Sequence, residues 1–138
     1  DACIDMAKTK TGAIIIITNI DNLSTYSEKG TPINATISTA VIKSIFYKNS
    51  PLHDGAVIIT NNKIISARCI LPVTNNENFP NDLGTRHRAA VGITEESDAI
   101  AVIVSEETGS ISYAKDGELF NKRTGDQLKH FLNRSFNE

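Results

Sequence analysis

The sequence predicts a single α/β domain whose central β-sheet is mixed and flanked by α-helices. Short apolar blocks rich in β-branched residues recur along the chain, separated by segments with helical periodicity. Two pairs of blocks are instead joined by tight turns, at Asn61-Asn62 and at Lys115-Asp116-Gly117. Helical connections are typical of parallel strands and tight turns of antiparallel strands, so the sheet should contain both kinds of pairing.

The first third of the chain opens with a helix end and a strand. Residues 2–10 are predicted to be the tail of a helix, and Ile14–Thr18 a strand buried on both faces because its isoleucines are consecutive. Residues 19–35 are polar and contain a glycine and a proline, so we expect a loop. A helix then begins after Ser38 as N-cap. Its apolar stripe recurs every three to four residues, at Val41, Ile42, Ile45 and Phe46.

The middle of the chain predicts a hairpin, a loop and a short helix. Ala56–Thr60 and Lys63–Arg68 flank the Asn-Asn turn and read as two antiparallel strands. Residues 72–83 hold two prolines and several Asn and Asp residues, which marks a loop. Thr85 is predicted to cap a short helix that ends at Gly92.

The last third predicts a second hairpin and a closing helix. Ala99–Val104 and Ile111–Ala114 read as buried strands, and the Asp-Gly turn leads from the latter into Glu118–Phe120. Thr124 is a candidate N-cap for the closing helix. The apolar stripe of that helix consists of Leu128, Phe131 and Leu132.

Composition bounds the function. The chain has 138 residues and a net charge of −2, so binding to nucleic acid through bulk positive charge is not expected. Cys3 and Cys69 are too few for a disulfide framework and have no metal-ligand spacing, which favours a reducing compartment. No apolar run approaches the roughly 18 residues of a membrane helix. The chain starts at Asp1 without a signal peptide, and we expect it to be a piece of a longer protein.

The first candidate motif is Asp54-Gly55-Ala56, directly before a predicted strand. An Asp-Gly pair is often only a tight turn. In a site, the Asp54 carboxylate would hold a hard divalent cation, and Gly55 would let a ligand approach the backbone. His53 is either a second metal ligand or a turn residue.

The second motif is Gly84-Thr85-Arg86-His87-Arg88, at the predicted start of a helix. Cations are disfavoured at a helix N-terminus, so two arginines there indicate a bound anion. Backbone N–H groups, a hydroxyl and guanidinium groups would converge on phosphate oxygens. The alternative is a solvated basic turn paired with Glu95 or Glu96.

Two further segments complete the candidate site. Ser105-Glu106-Glu107-Thr108-Gly109 follows a strand and offers a phosphate donor and a metal-binding carboxylate, or else is an ordinary acidic turn closed by glycine. Ile70-Leu71-Pro72 offers apolar surface and backbone polar groups to a purine ring, or else is core packing.

These motifs, in this order over nearly the whole chain, resemble the diadenylate cyclase (DAC) domain, most closely its membrane-anchored CdaA type. The resemblance implies a mixed sheet flanked by helices. It also implies synthesis of cyclic di-AMP (c-di-AMP) from two ATP molecules with Mg²⁺, Mn²⁺ or a similar cation such as Co²⁺. One departure is Ile70, where related enzymes often carry an aromatic residue near the adenine.

The resemblance implies that each ribose 3′-hydroxyl attacks the α-phosphorus of the other ATP, and pyrophosphate leaves. The implied catalytic residues are Asp54, Arg86 and His87. The implied metal ligands are Asp54, His53 and Glu107. The implied ATP contacts are Gly55, Ala56, Leu71, Gly84, Thr85, Arg86, His87, Arg88, Ser105 and Glu106, with Arg88 expected mainly to support the turn.

The two-fold symmetry of the product implies a homodimer in which two copies of the site face each other. Residues 1–138 would be the catalytic domain, facing the cytoplasm, of a protein anchored in the membrane by an N-terminal segment. The alternative is a non-catalytic module that binds ATP or a cyclic dinucleotide. A module without activity would be expected to lose the metal carboxylate, so the presence of Asp54 favours the enzyme.

Overall fold

Seven strands and five helices make up the residues that the structure, a computed structural model, describes: 1–18, 23–80 and 83–136. The strands are β1 (Ala13–Thr18), β2 (Thr31–Thr36), β3 (Ala56–Thr60), β4 (Lys63–Cys69), β5 (Ile100–Val104), β6 (Ile111–Lys115) and β7 (Glu118–Arg123). The helices are α1 (Ala2–Lys8), α2 (Ser24–Ser27), α3 (Thr39–Phe46), α4 (Thr85–Glu95) and α5 (Gly125–Phe136).

The strands form one mixed sheet in the order β2-β4-β3-β1-β5-β6-β7. β1 and β3 run parallel, with Ile16 beside Ile58. The other neighbouring strands are antiparallel, including both predicted hairpins, β3-β4 and β6-β7. The predicted α/β fold with a mixed sheet is therefore confirmed.

Side chains alternate along the central strands into two apolar layers. Ile15 and Val102 enter the layer that also holds buried residues of α1, α3 and α5. Ile16 and Ile103 enter the layer on the other face, which α4 covers. Because both faces of β1 are covered, consecutive isoleucines are buried, as the uninterrupted apolar run predicts.

Two helix starts are capped as the sequence predicts. The Ser38 hydroxyl accepts a hydrogen bond from the Val41 N–H of α3 at 3.4 Å. Thr124 and Gln127 form a reciprocal pair at the start of α5, in which each side-chain oxygen accepts from the other residue's N–H at 3.1 and 2.8 Å.

The loop predicted over residues 19–35 is wrong for most of its described part, which contains α2 and β2. Residues 19–22 lie outside the described residues. β2 is an edge strand whose side chains alternate between half-buried and exposed, so it needs few apolar residues. Pro32 is tolerated there because an edge strand leaves some N–H positions unpaired.

The register brings four chain segments to one edge of the sheet, which we call the upper edge. Ala13 at the start of β1 lies opposite Val104 at the end of β5, and Ala56 at the start of β3 lies opposite Cys69 at the end of β4. The segments that enter β1 and β3 and leave β4 and β5 therefore meet at this edge.

The predicted helix end at Gly92 is wrong, because α4 continues through it to Glu95. A Cβ built on Gly92 would lie 2.3 Å from the Pro72 carbonyl oxygen. The glycine therefore permits close packing of α4 on the backbone that follows β4, and it does not terminate the helix.

We expect Gly92→Ala to destabilise the domain, although the same change in an ordinary helix interior increases stability by up to about 1 kcal/mol. The added methyl group would clash with backbone atoms, which cannot shift without distorting the chain. Overpacking of this kind lowers the free energy of unfolding by about 1–3 kcal/mol. Chemical denaturation of the two proteins measures the difference. A Gly92→Ala protein at least as stable as the wild type would contradict this packing argument.

Candidate active site

A cavity of about 780 Å³ lies between the upper edge of the sheet and the N-terminus of α4. This volume falls within the range of small-molecule sites. The structure brings all four predicted segments to its wall. Their lining residues are Asp54, Gly55, Ala56, Ile70, Leu71, Gly84, Thr85, Arg86, His87, Ser105, Glu106, Glu107 and Thr108.

The N-terminus of α4 lies at the cavity and has no side-chain cap among the described residues. Thr85, predicted as the cap, is the first helical residue, and Gly84 is the N-cap instead. The Gly84 carbonyl accepts from the Arg88 N–H at 3.2 Å, which starts the helix. No side chain of the described residues caps this end, so N–H groups of the first turn such as those of Thr85 and Arg86 can face an anion.

Arg86 forms an ion pair with Glu106 in the cavity wall. Its Nη1 lies 3.5 Å from Glu106 Oε1, and the Arg86 side chain is 27% exposed. The alternative pairing of this basic turn with Glu95 or Glu96 is wrong. Glu95 accepts a hydrogen bond from Thr74 at 3.1 Å, and Glu96 accepts one from the Tyr26 hydroxyl.

The other two residues of the Arg-His-Arg motif diverge. His87 is buried and lines the cavity. Arg88 is not among the lining residues. Its guanidinium lies 4.8 Å from the centre of the Phe79 ring, and its carbonyl accepts from the Thr74 N–H at 3.1 Å. This position matches the expected support of the turn and does not support the implied contact between Arg88 and ATP.

The start of β3 requires glycine at position 55. Gly55 has a φ of +116°, and a Cβ there would lie 2.8 Å from the Arg68 carbonyl carbon. The close approach of β3 to the end of β4 therefore presents Asp54 at the cavity wall, where its side chain is exposed.

The Ser105 loop is a tight turn as well as part of the cavity wall. The Ser105 hydroxyl oxygen accepts from the N–H groups of Glu107 and Thr108, each at 3.2 Å. Gly109, with a φ of +75°, closes the turn. Because the hydroxyl accepts both bonds, its own proton is free to be donated to a phosphate oxygen.

Part of the cavity wall is apolar. Ile70 is 85% exposed at the end of β4, and Leu71 beside it is half-buried. Val73 and Leu83 line the same cavity. The alternative of plain core packing is therefore wrong for Ile70, and this part of the wall can receive the face of a base.

Sequence reasoning missed two cations in the cavity, Arg68 and Lys122. Both have a positive φ, of 56° and 54°, at irregular points of β4 and β7. The Lys122 N–H donates to Asn121 Oδ1 at 3.0 Å and to the Ser112 hydroxyl at 3.3 Å, which fixes its irregular backbone. No local pattern marks these positions, because the strand register creates them.

Positive and negative side chains balance among the described residues that line the cavity. Three cations, Arg68, Arg86 and Lys122, line it together with three carboxylates, Asp54, Glu106 and Glu107. Most of the negative charge of a bound triphosphate would therefore not be neutralised by the protein. A divalent cation would neutralise part of it.

The residues present fit such a cation in part. Mg²⁺ commonly binds one or two protein carboxylates and completes its coordination shell with substrate phosphates and water. Asp54 and Glu107 would supply the two carboxylates. The described residues contain no cluster of three or more metal-ligating side chains. His53 is not among the lining residues, and its Nδ1 donates to the Ser50 carbonyl at 2.7 Å, so the structure does not bring it to the cavity.

Neither cysteine is activated. Burial raises the pKa of the Cys3 thiol to about 11 and raises that of Cys69 as well. Cys69 lines the cavity but is buried, with its Sγ 3.1 Å from the Ser66 hydroxyl. Both remain protonated near neutral pH, so thiolate chemistry has no part in this site.

The fold and the cavity define an α/β domain with a site of small-molecule size, and comparison with known proteins identifies the family. The profile of the DAC family, described as "DisA bacterial checkpoint controller nucleotide-binding", matches residues 1–119. The chain belongs to this family. The family membership predicted from the motifs is thereby confirmed.

Relatives agree closely in sequence. The chain is 47% identical to cyclic di-AMP synthase CdaA of Bacillus subtilis, over 95% of this chain and 48% of that protein. It is also 47% identical to the diadenylate cyclase of Listeria monocytogenes, over 92% of this chain and 46% of that protein. The chain thus spans about half the length of these curated relatives.

Solved structures agree in fold. A crystal structure of a double mutant of DacA from Staphylococcus aureus matches with a TM-score of 0.96 and 42% identity, over 99% of this chain and 91% of that chain. A hypothetical membrane spanning protein from Bacillus cereus matches with a TM-score of 0.85 and 43% identity, over 89% and 60% of the two chains. Within the described residues of this chain, no helix is both long enough and apolar enough to cross a bilayer.

Proposed function

We propose that residues 1–138 form the catalytic domain of a diadenylate cyclase, which condenses two ATP molecules into c-di-AMP and two pyrophosphates. The observation that carries this proposal is the meeting of Asp54 with the first turn of α4, including Arg86 and His87, in one cavity. The names of the Bacillus subtilis and Listeria monocytogenes relatives support the same reaction.

The residues divide the nucleotide between them. Ile70 and Leu71 would cover the adenine, the α4 N-terminus with Arg86 and His87 would hold the phosphates, and Ser105 would donate a hydrogen bond to one of them. Phosphoryl transfer of this type needs in-line positioning and charge stabilisation more than covalent participation by the protein.

Asp54, with Glu107 as a second carboxylate, would hold the divalent cation that the family membership implies. When bound, Mg²⁺, Mn²⁺ or Co²⁺ would lower the pKa of the attacking hydroxyl and offset charge on the α-phosphate. Asp54 would thereby direct the ribose hydroxyl of one ATP towards the phosphorus of the other.

The symmetric product requires two ATP molecules face to face, so we propose an isologous homodimer in which each subunit contributes one cavity. We also propose a membrane anchor outside residues 1–138, with this domain on the cytoplasmic side, where ATP is available. The membrane spanning protein of Bacillus cereus among the matched structures supports the anchor.

Incubation with ATP and Mn²⁺, followed by mass spectrometry of the products, tests the proposed reaction. We expect c-di-AMP and pyrophosphate in a ratio of one to two. Binding of ATP without any turnover, under conditions where the protein is dimeric, would overturn the proposal in favour of a nucleotide-sensing module.

We expect Arg86→Ala to weaken binding of a non-hydrolysable ATP analogue by about 1.5–3 kcal/mol, because it removes a charge-assisted phosphate contact. The loss should be larger at low salt than at high salt. Arg134→Ala, which removes an equal charge from an exposed site on α5, is the matched control for calorimetric titration. Equal affinities of the two variants would contradict a phosphate-binding role for Arg86.

A further inference from the structure

Gly12, which no motif includes, lies directly against the guanidinium group of Arg86. A Cβ built on Gly12 would lie 2.8 Å from Arg86 Cζ, 2.8 Å from Nη1 and 3.0 Å from Nη2. Because these three atoms are almost equidistant from that point, the face of the guanidinium group is turned towards the place where a Cβ would stand. A side chain at position 12 would occupy the same space.

Glu106 also contacts this guanidinium, with Oε1 3.5 Å from Nη1. Gly12 immediately precedes β1 and Glu106 closely follows β5, whose paired ends Ala13 and Val104 lie opposite each other. The sheet register therefore brings together the two contacts, which we call the guanidinium slot. The slot holds the end of a long, flexible side chain whose own backbone belongs to α4.

We propose that Gly12 is a positioning residue. Because it has no side chain, it leaves the space in which the Arg86 guanidinium lies ready to meet the nucleotide phosphates. This inference rests on the proposed function. An arginine loses much rotamer freedom when it is ordered on a ligand. The slot orders the guanidinium before the ligand arrives, so less freedom is lost on binding.

The glycine is not required by the backbone conformation of position 12, which lies outside the left-handed region. The three atoms nearest to the absent Cβ all belong to the end of a flexible side chain. Gly12→Ala should therefore move the guanidinium and leave the fold intact. A glycine that served only β1 packing would act in the same way whatever residue stood at position 86.

A double-mutant cycle separates these two roles. We expect Gly12→Ala to weaken binding of a non-hydrolysable ATP analogue about tenfold, to leave adenosine binding unchanged, and to have no further effect in the Arg86→Ala background. Calorimetric titration measures the affinities, and thermal unfolding of each variant checks the fold. Equal losses in both backgrounds, or an equal loss for adenosine, would overturn the positioning role.

Arg86→Lys tests the slot without any change at position 12. The lysine keeps the charge but has no planar group to turn towards Gly12, so we expect an affinity between those of the wild type and Arg86→Ala. Wild-type affinity in Arg86→Lys would also overturn the proposal. Failure of the wild-type protein to make c-di-AMP, with the binding cycle as expected, would overturn the proposed reaction and leave this inference standing.

Discussion

Asp54→Asn is expected to lower the rate of cyclisation by roughly 100-fold or more, because it removes charge stabilisation at the reacting groups. ATP affinity should change little, since the phosphates and the base are proposed to contact other residues that line the cavity. The substitution is nearly isosteric and Asp54 is exposed, so the turn before Gly55 should persist. Initial rates and calorimetric titration on the same preparations measure the two effects.

The chain contains its own control for this substitution. Asp116 also precedes a glycine in a tight turn and is exposed, but it does not line the cavity. Asp116→Asn should therefore leave both rate and affinity at wild-type levels. An Asp54→Asn protein that folds and retains full activity would show that the first motif is only a turn.

The parts of the fold that follow local rules could be predicted from the sequence. Buried strands such as β1 and β5 read directly as apolar blocks, and the caps at Ser38 and Thr124 were identified from residue type and position. β2 could not be predicted in this way. An edge strand with one exposed face has the composition of a loop, and its identity depends on pairing with a distant β4.

The candidate site likewise has parts that follow from local sequence and parts that depend on long-range contacts. Most of the lining residues lie in contiguous motifs, so they could be predicted from the sequence as groups. Gly12 and Lys122 escaped notice because their relevance comes from contacts across the sheet edge. His53 shows the converse, because it is adjacent to Asp54 in sequence but its ring is bound to the Ser50 carbonyl.

The proposed face-to-face arrangement makes activity depend on protein concentration. If each subunit holds one ATP, only dimers form the cyclic product, and at low concentration the dimer population rises with the square of the total protein. Specific activity should then rise in proportion to concentration and level off once dimers dominate. Enzyme assays over a dilution series, with light scattering for the mass, test this. Constant specific activity in a range where only monomers are present would contradict the arrangement.

Mixing wild-type with Asp54→Asn subunits gives the sharpest form of this prediction. A mixed dimer retains one Asp54, so it should join the two nucleotides once and stop at the linear intermediate. With random pairing above the plateau concentration, a ninefold excess of the variant should leave about one tenth of the wild-type subunits in fully active dimers. c-di-AMP should fall to that level while the linear dinucleotide accumulates, both measured by mass spectrometry. The same excess of Asp116→Asn subunits should cause no loss. If Asp54→Asn subunits are equally harmless although mixed dimers form, each subunit completes the reaction alone.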